Sequence, residues 1–204
     1  MVRATRAGPF VVILALAPAS ALAFACGGEG GGDGGGPNAR VLELTDGDTY
    51  RVEFLATGEV APVRLLGVDT PDFGSQRSME KCNDPDGGDQ GAEYCTRWRA
   101  AWNERYGTKT LDVAKVRACH DKGLQVLSRT LLGSEVTLTE DPTVGADPFG
   151  RMLRYVADGA GQDVSEMLVR TGRAIVLGPC GRCRDLELIQ AARMMAHEGC
   201  LWTD

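Results

Sequence analysis

Between Asp46 and Asp72 the chain reads D-G-D-T-Y-R-V-E-F, a short turn, and then V-R-L-L-G-V-D-T-P-D. Tyr50, Val52 and Phe54 fall on one side of an alternating pattern and Arg51 and Glu53 on the other, the period of a half-buried strand. Thr57-Gly58 supplies a hairpin turn. Val60 to Val68 is predicted as the next strand, with Pro62 near its start, where a missing N–H is tolerable. Val41, Leu42 and Leu44 begin an earlier one. Three short strands with Gly turns suit a small barrel. The polar residues placed on this frame are specific. Asp46, Asp48 and Asp69 stand beside Gly or Thr, Asp72 follows Pro71, and Arg64 lies inside an otherwise apolar run. Clustered carboxylates attract a hard cation such as Ca²⁺, which takes oxygen ligands. An Arg among them suits a phosphate, because its planar fork donates two parallel hydrogen bonds. Together they point to chemistry on a phosphodiester.

The same stretch resembles the staphylococcal nuclease (thermonuclease) family, whose pattern is D-G-D-T followed by V-R-L-x-G-I-D-T-P-E. Asp147-Pro-Phe-Gly-Arg-Met-Leu-Arg-Tyr-Val is similar to that family's D-x-Y-G-R-x-L-A-Y. Val164 to Ala174, V-S-E-M-L-V-R-T-G-R-A, resembles V-N-E-x-L-V-x-x-G-x-A, and Gly199-Cys-Leu-Trp202 is close to a closing G-L-W. The resemblance covers residues 40–202 apart from an insertion after Asp72. It implies an α+β fold: a five-stranded OB-fold β-barrel with about three packed helices, here carrying a cysteine-containing insertion at about 73–117. It implies Ca²⁺ as cofactor, held by Asp48, Asp69 and the Thr70 backbone carbonyl, with Asp46 acting through water. It implies Arg64 and Arg151 as the arginines that hold and stabilise the phosphate. Asp72 stands where the family has the Glu that orients or deprotonates the attacking water, one methylene shorter. A misplacement near 1 Å costs on the order of 10²-fold in rate. Pro148-Phe149 replaces a frequent Lys-Tyr, and Ile175 to Pro179 lacks the family's base-stacking aromatic pair. The implied activity is Ca²⁺-dependent hydrolysis of DNA, and of RNA, by a monomer. The alternative is a non-catalytic nucleic-acid or anion-binding module on the cell envelope.

The remaining segments set the compartment. Arg3 and Arg6 precede an apolar run from Phe10 and an Ala-rich stretch to Ala25, the pattern of an export signal over residues 1–25. Leu22-Ala-Phe-Ala-Cys26 resembles a bacterial lipobox, with Ala23 where the pattern has Leu, which makes Cys26 a candidate lipid anchor. Residues 26–39 are Gly-rich and read as a tether, leaving 40–204 as the folded domain. The expected location is outward-facing, as a membrane lipoprotein held through its lipid alone, or secreted. The formal net charge of −6 becomes −8 without Arg3 and Arg6, an acidic balance that argues against broad coating of nucleic acid.

Six further cysteines, Cys82, Cys95, Cys119, Cys180, Cys183 and Cys200, are disulfide candidates behind an export signal. The sequence does not choose among their 15 pairings, although locality favours Cys82 with Cys95. Cys180-Gly-Arg-Cys183 also admits a zinc or redox reading. Inside the insertion, Asp84, Asp86, Asp89 and Glu93 have a calcium-loop-like spacing outside the EF-hand register; the simpler reading is a solvated loop. Trp98 and Trp102 lie one turn apart on a helix at 96–106 and read as local core. Further helices are expected at 119–132, 162–173 and 184–198, the last with a stripe of Leu188, Ile189, Ala192, Met195 and Ala196, and strands at 135–139 and 152–156.

Overall fold

A computed structural model of the chain describes residues 36–74, 79–84, 92–144 and 147–204. The export signal, the Cys26 anchor and most of the tether lie outside the described residues, as do Asp86 and Asp89 of the calcium-like spacing.

Five strands close into a barrel in the order β1 (Ala39–Leu44), β2 (Thr49–Phe54), β3 (Val60–Leu65), β6 (Met152–Ala157) and β5 (Glu135–Thr139). All neighbours are antiparallel except β3 and β6, which pair in parallel with Arg64 beside Leu153. The alternation read for β2 holds: Tyr50 and Val52 point into the barrel with Val41, Val63, Val136 and Val156. Helices α2 (Val113–Thr130), α3 (Val164–Arg170) and α4 (Cys183–Met195) close this core with Leu127, Leu168 and Leu186. Full burial of each such side chain contributes roughly 1.5–3 kcal/mol.

Three expectations need correction. The third strand stops at Leu65. Leu66 and Gly67 turn the chain, and β4 (Val68–Asp69) leaves the barrel to pair with β7 (Ile175–Val176), placing Asp69 opposite Ile175. The helix expected from Cys119 begins at Val113, because the Asp112 side chain caps it by accepting from the Lys115 amide at 3.0 Å. Helix α4 is rotated from its expected stripe: Cys183, Leu186 and Met194 are buried, while Leu188 and Met195 are 56% and 77% exposed. The Gln190 carboxamide oxygen accepts from the Val176 amide at 2.7 Å and the Cys180–Cys183 disulfide holds the N-terminus, so α4 is oriented by its partners rather than by its own periodicity.

The insertion folds around a second core. Helix α1 (Ala92–Tyr106) buries Tyr94, Trp98 and Trp102 against Met79, Leu111 and Val116 and against Leu201 and Trp202 of the C-terminal segment. It is the helix expected at 96–106, and it begins four residues earlier. The tryptophans are core residues, as read. Disulfides join Cys82 to Cys95, Cys119 to Cys200 and Cys180 to Cys183. Three disulfides fit an oxidising, extracytoplasmic compartment. No helix of the described residues is long and apolar enough to cross a membrane.

These cross-links differ in what they constrain. Cys119–Cys200 spans 81 residues, whereas Cys180–Cys183 spans 3. Cys119→Ser with Cys200→Ser should cost about 2–4 kcal/mol by urea unfolding, and Cys180→Ser with Cys183→Ser distinctly less, because a short loop loses little freedom on closure. A pH-dependent anchor sits beside the latter pair. Asp141 accepts from the Thr143 hydroxyl and the Tyr155 hydroxyl, both at 2.6 Å, and from the Gly181 amide at 2.6 Å. The Thr143 and Tyr155 hydroxyls hold its carboxyl below the ordinary value of 3.8. A depressed carboxyl contributes stability above its unfolded pKa and loses it as pH falls further. Asp141→Asn should therefore unfold more readily at pH 7, and the difference from wild type should narrow below pH 3.8.

Candidate active site

The site begins with the tight turn between β1 and β2. The Thr45 and Asp46 amides both donate to the Thr49 carbonyl, and the Asp48 amide donates to Asp46 Oδ1 at 2.9 Å. Gly47 is required by close approach: a Cβ there would lie 2.8 Å from Thr70 Oγ1. The turn thereby rests on Thr70, whose amide and hydroxyl donate to Asp48 Oδ2 at 2.7 and 2.9 Å.

Arg64 projects from β3 into this corner, opposite Thr49 in the ladder. It is 7% exposed, and it is spanned by two carboxylates that are 4% and 5% exposed. Nη1 pairs with Asp48 Oδ1, and Nη2 donates to Asp69 Oδ1 at 3.0 Å. Burial pulls its pKa below the ordinary value of 12.5, with the charges of Asp69 and Asp46 acting the other way. Burial pushes the Asp46 carboxyl up from its ordinary range, with Arg64 pulling the other way. The corner thus holds three carboxylates around one fully buried guanidinium.

Arg151 enters from the loop before β6. Its Nε donates to Asp147 Oδ2 at 2.5 Å, and Nη1 reaches the Thr49 hydroxyl at 3.3 Å. Thr49 in turn donates to Asp48 Oδ1 at 3.2 Å, which links the two arginines through one hydroxyl and one carboxylate. Burial works against ionisation of Asp147, but the hydrogen bond from Arg151 prevails and holds its carboxyl low.

Asp72 joins through the insertion. Its amide donates to Tyr94 Oη at 2.6 Å, and its Oδ1 accepts from the Gly74 amide at 2.6 Å, which fixes the carboxylate's orientation. Burial drives the Tyr94 hydroxyl far above its ordinary value, the Asp72 amide acts oppositely, and the charges of Asp69, Asp72 and Asp46 add to the rise. One turn along α1, Arg97 Nη2 approaches Asp69 Oδ2 at 3.4 Å, and its Nη1 donates to Glu93 at 2.9 Å.

Asp46, Asp48, Arg64, Asp69, Thr70 and Arg151 therefore form one connected network, and Asp72, three residues beyond Asp69, is tied to α1 by its amide's bond to Tyr94. Sequence reasoning missed Thr49, Tyr94, Arg97 and Asp147 as participants. Asp147, four residues before Arg151 across a Gly turn, was within reach of local reading. Tyr94 and Arg97 were not, because only packing of the insertion brings α1 to Asp69. Among the described residues no three His, Cys, Asp or Glu side chains are gathered closely enough to hold a metal as they stand. Asp48 and Asp69 hold Arg64 instead. A scan against protein-family models finds no match, and neither does a search of curated proteins.

Removing Arg64 leaves Asp48 and Asp69 buried without their shared counter-charge. Arg64→Met in chelator should cost about 3–5 kcal/mol of folding stability by urea denaturation. A loss under about 1 kcal/mol would mean that water reaches both carboxylates.

Proposed function

We propose that the chain is a thermonuclease-like, Ca²⁺-dependent hydrolase of phosphodiester bonds in DNA, and in RNA, acting outside the cytoplasm from a lipid-anchored or secreted form. The observation that carries this reading is the network in which Arg64 and Arg151 are joined through Thr49 and Asp48 at one end of a closed barrel. Of the three separated sequence blocks resembling the thermonuclease family, Asp46 to Asp72 and Asp147 to Arg151 contribute this network's members, and the α3 segment packs into the barrel core. The closed five-stranded barrel with its parallel β3–β6 pair supports the OB-fold reading.

The donor set fits a hard cation. All its ligating atoms are oxygens, the type a hard cation takes, and binding one would require Asp48 and Asp69 to turn from the arginines that now hold them. Asp48, Asp69 and the Thr70 carbonyl would hold Ca²⁺, with Asp46 acting through water. When bound, the cation supplies charge that neutralises a phosphoryl oxygen and acidifies water. Arg64 and Arg151 bind the phosphate and stabilise the charge that builds on its equatorial oxygens. Asp147 fixes the Arg151 fork. Asp72, oriented by the Gly74 amide, positions the attacking water and takes its proton.

A second reading, a non-catalytic module that binds nucleic acid or another anion, is favoured by one observation. Both carboxylates proposed to hold the cation are already engaged by arginines, Asp69 by two of them. Cleavage of denatured DNA by the mature chain, in Ca²⁺ and in chelator, separates the two. Arg64→Ala and Arg151→Ala should each lower the rate about 10²–10³-fold, the scale of one lost transition-state donor. Asp48→Ala should lose Ca²⁺ affinity and activity together. Asp72→Ala should cut more slowly, and Asp72→Glu at least as fast as wild type. If wild type and Asp72→Glu both leave DNA and RNA intact in Ca²⁺, the binding module is the correct reading.

A further inference from the structure

Away from the carboxylate network, a groove of about 590 Å³ lies between α2, the turn after α3 and the C-terminal segment. Three cationic residues line it, Lys115, Lys122 and Arg173, and no Asp or Glu does. It shares no residue with the Asp48–Arg64–Asp69 corner. His120, which packs against Phe73 next to Asp72, is on a different face of α2 from Lys115 and Lys122.

The groove is built rather than incidental. Gly172 takes a φ of +59°, and a Cβ there would lie 2.9 Å from the Cys200 amide nitrogen. That contact lets the Cys200 and Leu201 amides donate to the Thr171 and Gly172 carbonyls, each at 2.9 Å. The Cys119–Cys200 disulfide then ties the C-terminal segment to α2. Gly123, inside α2, is a poorer helix former than Ala would be. The space left by its missing Cβ is taken by the Arg173 stem, whose Cδ would stand 3.3 Å from that carbon. Arg173 is thereby held against the helix with its Nε buried and, among the described residues, without a hydrogen-bond partner. Among the described residues no neighbouring charge compensates it, and burial lowers its pKa. Lys115 Nζ is anchored by Tyr106 Oη at 2.8 Å and by the Thr203 carbonyl. The nearby Asp204 carboxylate is turned to Arg105 and His197.

We propose that this groove binds the phosphate backbone of a single nucleic-acid strand at a distance from the bond that is cut. An uncompensated guanidinium donor and a charged wall free of carboxylates call for an anion. Lys115 and Lys122 stand two helical turns apart, roughly 10 Å along the axis, which spreads the charge along a line. That distribution fits successive phosphates of a chain better than one small ion, and it resolves how a chain of net charge −6 would grip a polyanion. The proposal rests on the nucleic-acid reading of the preceding section and adds a second contact to it.

The test is binding of fluorescein-labelled oligothymidylate to the mature chain in chelator, followed by anisotropy across a NaCl series. Lys122→Glu, at an exposed position that leaves the packing untouched, should weaken binding and flatten the plot of log affinity against log salt. Lys122→Gln with Arg173→Met should flatten it by about 1.4, two single-strand phosphate contacts. Unchanged slopes in both variants, or no oligonucleotide binding by wild type, would overturn the proposal. So would loss of inorganic-phosphate binding with oligonucleotide binding retained, which would make the groove a small-anion site. The two readings fail separately. A wild-type chain that hydrolyses thymidine 5′-(p-nitrophenyl phosphate) in Ca²⁺ while groove variants bind oligonucleotide normally keeps the catalytic reading and loses the groove. A chain that hydrolyses nothing, but whose oligonucleotide binding depends on Lys122 and Arg173, keeps the groove and loses catalysis.

Discussion

The structure depends on how one guanidinium is buried. Arg64 sits on a barrel strand where its neighbours Val63 and Leu65 are core residues, and almost none of it reaches water. Removing a charge from water costs several kcal/mol unless partners of opposite charge replace the solvent. Asp48 and Asp69 do this from opposite directions, one from the β1–β2 turn and one from the strand that leaves the barrel. Each partner is itself held. Thr70 donates twice to Asp48, and β4 is fixed by pairing with β7. The tight Gly47 turn and the early end of β3 are both conditions for the two carboxylates to meet on one arginine.

The insertion is part of this support. Its tryptophans join the C-terminal segment in a second core, and two disulfides, Cys82–Cys95 and Cys119–Cys200, brace that core. From it α1 presents Tyr94 to the Asp72 amide and Arg97 to Asp69. The side chains proposed to hold a cation and a water are thus backed by a helix anchored elsewhere in the molecule. That arrangement suits chemistry in which sub-ångström placement decides rate.

In the corner carboxylates and arginines are interleaved, whereas the groove gathers Lys115, Lys122 and Arg173 with no carboxylate in its lining. An acidic chain has no general attraction for a polyanion, so contact with one has to be local and built. Arg173, pressed into the gap left by Gly123, is placed by the same disulfide that braces the second core.

Local chemistry made much of this legible in the sequence. Period-2 alternation in Tyr50, Val52 and Phe54 needs no distant partner to be read, and the strands it marks are present. The Asp-Gly-Asp-Thr turn and the Asp147-to-Arg151 block carry their pattern within a few residues, and the fold brings Asp46, Asp48, Arg64, Asp69, Thr70 and Arg151 into one network. What stayed hidden were properties set by partners far along the chain. The rotation of α4 follows from Gln190 meeting Val176, not from its own apolar pattern. The pairing of Cys119 with Cys200 spans 81 residues. Arg97 looks in sequence like one more exposed helical arginine, and only the packing of Trp98 and Trp102 turns it toward Asp69. Sequence determined which charges this protein carries and the local geometry that displays them. Tertiary structure decided which charges share a buried space, because burial and pairing are relations between segments that no single segment contains.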